Sequence, residues 1–87
     1  MRIKDYEVLK NINDLEEQVE KAVKRRDEFY YKRRNYFINF SIEWKKCKEN
    51  LIPIEKQIDR RIFCLYYEKL NSLYEKIVKY LLLGKEL

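Results

Sequence analysis

The side chains best suited to chemistry are cations interleaved with aromatic rings. Lys24, Arg25 and Arg26 precede Phe29, Tyr30 and Tyr31; Lys32, Arg33 and Arg34 precede Tyr36 and Phe37. Guanidinium and ammonium groups attract carboxylates and phosphates, and a ring flanked by arginine can stack on a base or join a cation–π contact. Such a cluster recognises an anionic macromolecule and makes or breaks no bonds. The charge supports this placement. Residues 23–61 carry twelve basic and six acidic side chains, whereas residues 1–22 are net −2 and residues 62–87 net +1. Lys45, Lys46, Lys48, Arg60 and Arg61 extend the basic region along the chain. Arg25, Arg26, Tyr31, Lys32, Arg33 and Arg34 are the expected partner-contact residues. A plainer reading has the stems of Arg26 and Arg33 packing on Tyr30 and Phe37 with their heads in water.

Catalysis finds little to work with. The chain has no histidine, the commonest general base, and a single glycine, too few for a phosphate-cradling loop. Cys47 and Cys64 have no histidine to activate them as nucleophiles, and two thiols do not make the four ligands of a structural zinc site. They read as reduced thiols, each filling the place of a small hydrophobe. No catalytic residue, metal ligand or cofactor is expected.

The elements that must carry the basic cluster are helices. Asp5 to Glu49 contains no glycine or proline, and Val8, Ile12, Leu15, Val19, Ala22 and Val23 recur at helical spacing. Asp5 is a natural N-cap. Val23, Tyr30, Phe37, Trp44, Leu51, Ile58 and Leu65 form a ladder with a strict seven-residue step, close to two helical turns. Asn50 to Pro53 is the strongest turn signal, because proline restrains its predecessor and suits the first turn of a new helix. Beyond it, Phe63, Tyr67, Leu70, Tyr74, Ile77 and Leu81 alternate by four and three, with Tyr66, Leu73 and Tyr80 widening the stripe. Gly84 reads as the C-terminal stop.

These signals predict one all-α domain over residues 1–87: a long antiparallel helical hairpin with helix A at about 5–49, a turn at 50–53 and helix B at about 54–83, packed as in a coiled coil. The shorter arm cannot cover Val8, Ile12, Leu15 and Val19. Those four are therefore expected to form an oligomer seam in a homodimeric four-helix bundle; the alternative is an N-terminus that folds back as a short third helix. Trp44 is expected in the core as a ladder member, or exposed as a partner anchor.

No apolar run is long enough to span a bilayer, and Met1 to Lys10 shows no signal-peptide pattern, so the expected place is the cytoplasm, a host's cytoplasm for a viral chain. The function expected is a non-enzymatic protein–protein interaction module that meets an acidic protein surface: a regulator, an adaptor, or an inhibitor carried by a virus or mobile element. The rival expectation is a nucleic-acid-binding protein holding phosphates with the same cations, although no helix-turn-helix or RNA-binding signature is present.

Overall fold

The computed structural model describes residues 3–25 and 33–86, with side chains as far as Tyr80. The described residues form α1 (Ile3–Lys24), α2 (Arg33–Leu51) and α3 (Arg60–Glu86), with a 3-10 turn at Ile52–Ile54 and no strand. Cross-helix contacts set the directions. Asn13 meets Tyr66 and Glu16 meets Lys69, so α1 runs parallel to α3. Tyr36 meets Gln18 and Tyr80, and Trp44 meets Leu70, so α2 runs antiparallel to both. The result is an up-down-up bundle of 44 × 18 × 18 Å, which the 27-residue α3 nearly spans at about 1.5 Å per residue.

This corrects the two-armed hairpin. The chain reverses between Lys24 and Arg33, and the N-terminal segment is a full third helix. The reason is burial. Ile12 and Val19 are fully buried and Leu15 nearly so, all inside this chain's own core, with half-buried Val8 packed against it. Covering each such side chain stabilises by about 1.5–3 kcal/mol, whereas residue-to-residue helix propensity differs by at most about 0.7 kcal/mol. A straight helix A would keep its propensity and forgo that burial. Val8, Ile12, Leu15 and Val19 thus find their cover on α2 and α3, and the motive for a seam between copies is gone.

The rest of the core comes from Leu9, Phe40, Cys47, Leu51, Ile54, Leu70, Leu73 and Ile77. The seven-residue ladder is not one stripe. Leu51 is fully buried, Phe37, Trp44 and Ile58 are half-buried, Val23 and Leu65 are exposed, and Tyr30 lies outside the described residues. The ladder passes through three separate helices and a turn, so its register has no common face.

Three boundaries also differ from expectation. α1 begins at Ile3, so Asp5 is not its cap but a buried member of its first turn, where free backbone N–H groups and the helix dipole favour an anion. The α2–α3 turn falls later than residues 50–53: α2 runs to Leu51, Pro53 sits in the 3-10 turn, and α3 starts at Arg60. Asp59 sets that start, since its Oδ1 accepts the Arg61 backbone N–H at 2.7 Å. Gly84 does not stop α3, which continues to Glu86.

Candidate protein-binding site

The last turn of α1, the first turn of α2 and the Lys76–Tyr80 stretch of α3 meet at one end of the bundle. Arg25 follows α1, its N–H still bonded to the Lys21 carbonyl at 3.1 Å, and its side chain is exposed. Arg34 is exposed on α2. Arg33 is not available in the way its sequence neighbours suggest. It is buried, with its guanidinium carbon 5.0 Å from the centroid of the Tyr80 ring. This is a structural cation–π contact tying α2 to α3, worth about 0.5–2 kcal/mol. Arg26, Tyr31 and Lys32 lie outside the described residues.

Tyr80 organises this end. Its ring lies edge-on to Tyr36, with centroids 6.5 Å apart. The Tyr36 hydroxyl donates to the Gln18 carbonyl at 3.2 Å. Burial, with the neighbouring Tyr80 adding to it, pushes the Tyr36 phenol up to about 12, so it stays a neutral donor at physiological pH.

Beside Tyr80 opens a cavity of ≈ 520 Å³ between α1 and α3. Val19 and Tyr80 form its floor and Val23 its exposed wall, while Lys24, Lys76 and Lys79 stand around it with one carboxylate, Glu20. Farther along the same pair of helices lies a second cavity of ≈ 400 Å³, lined by Tyr6, Leu9, Lys10, Asn13, Ile62, Leu65 and Tyr66. A polar stitch separates the two. Lys69 Nζ donates to Asn13 Oδ1 at 3.1 Å, lies 3.6 Å from Glu16 and sits over the Tyr66 ring at 4.9 Å. The Asn13 amide donates to the Tyr66 hydroxyl at 3.3 Å.

The groove between α1 and α2 differs in character. Its cavity of ≈ 290 Å³ is walled mainly by polar groups, among them Asn11, Asp14, Gln18, Glu43, Lys46 and Asn50. Cys47 lies at its base, and burial, reinforced by the Glu43 carboxylate, raises its thiol to about 11. A thiol held protonated in this way is a poor nucleophile at neutral pH. Cys64 is exposed on α3.

Lys76 and Lys79 escape a reading of the sequence because neither lies in the dense basic run. Their i, i+3 spacing beside Tyr80 is the available signal, and it gains meaning only once α1 is known to run alongside α3. No family model, curated protein or solved structure matches the chain. No helix among the described residues is long and apolar enough to cross a membrane.

Proposed function

We propose that this protein is a non-enzymatic interaction module that binds an acidic surface of another protein at the basic end of its bundle. One observation carries the reading: an open cavity whose apolar floor and wall, Val19, Val23 and Tyr80, are framed, among the described residues, by three lysines against one carboxylate. Apolar area supplies affinity, and the lysines select and steer a negative partner. Arg25 and Arg34 extend the same field. The module uses no cofactor, and its setting is the cytoplasm, as a regulator, adaptor or mobile-element inhibitor.

Capture from native lysate tests this with the wild type and a Lys24→Glu/Arg25→Glu/Arg34→Glu variant. The variant is expected to lose the partner while keeping its helical circular-dichroism spectrum; unchanged capture would remove the basic end as the contact. Nucleic-acid binding is the competing reading, favoured by the exposure of Lys24, Arg25 and Arg34 at one end. It requires duplex binding at ~50 mM salt with a log–log salt slope near −4 for about five phosphates. Such binding, if found, would replace the protein-partner reading.

A further inference from the structure

We infer that the whole α1/α3 groove is a docking track for one amphipathic helix of the partner, with an apolar ridge and acidic flanks. This rests on the reading that the partner is an acidic protein and specifies how it is held. The two cavities share one track. On α1, Tyr6, Lys10, Asn13, Glu16, Glu20 and Val23 recur at three- and four-residue steps and so lie along one face. On α3, Ile62, Leu65, Lys69, Ser72, Lys76 and Lys79 do the same. Two parallel helices with an open outer groove leave room for the ridge of another helix. From Tyr6 to Lys24 the track is about 27 Å long at about 1.5 Å per residue, the length of five helical turns.

The track is apolar in its two cavities, with the polar Lys69 stitch between them. Tyr6, 63% exposed, and Leu65, 57%, share the second cavity, and Val23, 39%, walls the first; exposed apolar surface in such grooves marks a contact surface. The charge then chooses the occupant. Lys10, Lys24, Lys76 and Lys79 border the cavities, whereas Glu20 is the one carboxylate lining them among the described residues. Lys69 is already met by Glu16. A second copy of this chain, net +5, would set lysine against lysine along the groove. A phosphate backbone would satisfy the lysines but gain nothing from Tyr6, Leu65 and Val23. A helix with Asp or Glu beside its apolar ridge satisfies both features.

The probe is a phage-displayed library of 18-residue peptides with leucine fixed at heptad a and d positions and Glu, Gln or Lys elsewhere. Selection on the intact protein is expected to enrich Glu beside the ridge. Calorimetry with the selected peptides is expected to show at least tenfold weaker binding to Lys24→Glu/Lys79→Glu and to Val23→Glu/Leu65→Glu. Both variants should melt like the wild type, and Lys45→Glu, on exposed α2, should bind normally. Acidic peptides that lose binding to Arg25→Glu/Arg34→Glu yet ignore the groove variants would overturn the track and leave the acidic-partner reading standing. Enrichment of Gln or Lys would overturn both. Self-association abolished by Leu65→Glu would overturn the track by giving it a second copy as occupant.

Discussion

Helices α1 and α2 both pack on α3, but they close their seams with different materials. The α2/α3 seam is closed by rings. Trp44 lies 5.0 Å from Tyr74, its indole N–H donates to the Leu70 carbonyl at 2.8 Å, and Phe37 adds a contact with Tyr74 at 6.4 Å. Lys48 covers the outside, 5.0 Å from the Trp44 ring and 5.6 Å from the Tyr67 ring. The α1 side of its seam is aliphatic: Leu9, Ile12, Leu15, Val19 and Ala22. Short aliphatic side chains fill the centre of the bundle, and among the described residues the Lys69 stitch is what crosses the outer groove. A seam sealed by long rings serves stability. A seam filled from inside and open outside can still accept a ligand.

The sharpest way to break this contrast is through the core that both seams share. Ile77 is fully buried, and Ile77→Ala is expected to cost about 2–5 kcal/mol in urea or thermal unfolding. Val23→Glu/Leu65→Glu should instead stay within about 0.5 kcal/mol of the wild type. Equal losses from the two would mean that the open groove is structural.

Alkali next tests how firmly α2 is packed against both of its neighbours. The Cys47 thiol, ordinarily near 9.0, is raised to about 11, and the Tyr36 phenol, ordinarily near 10.0, to about 12. Both groups are neutral when protonated, so the folded state holds these protons more tightly than the unfolded chain. Their stabilisation is complete below the ordinary values and is lost as pH rises through 9 to about 11 for Cys47 and through 10 to about 12 for Tyr36. Urea midpoints are expected to fall over that window, and Cys47→Ala to flatten its lower half. A wild-type midpoint level to pH 12 would deny that α2 buries these groups.

A smaller effect sharpens the ring seam itself. Trp44→Phe keeps an aromatic ring beside Tyr74 and deletes the bond to Leu70, for an expected loss of about 1 kcal/mol. A loss near that of Ile77→Ala would show that the indole as a whole, its packing on Tyr74 together with the bond to Leu70, anchors α2 on α3.

Helicity was legible in the sequence because the 3.6-residue period and the scarcity of glycine and proline act locally. The α3 core residues Leu70, Leu73 and Ile77 were legible for the same reason. The reversal between α1 and α2 was not. No breaker residue marks it, and Val23, Tyr30 and Phe37 continue a seven-residue step across it. What drives it is the burial of Ile12 and Val19 against residues far along the chain, which no local window can weigh. Pro53 drew the turn too early, and the cap that starts α3, Asp59, lies six residues farther on. Within the basic cluster Arg33 and Arg34 are the same residue type, yet only Arg33 is buried against Tyr80, and the antiparallel packing of α2 on α3 decides which. Lys24, Lys76 and Lys79 become one site only through the parallel course of α1 and α3.

An amide chemical-shift titration of the ¹⁵N-labelled protein with an acid-flanked amphipathic helix asks most directly which seam takes a ligand. Perturbations along Tyr6, Lys10, Val23, Leu65, Lys76 and Lys79, with Trp44 and Lys48 unmoved, are the expected result. Perturbations centred on Trp44, or on Asn11, Asp14 and Lys46 in the α1/α2 groove, would contradict the division between a sealed seam and an open one.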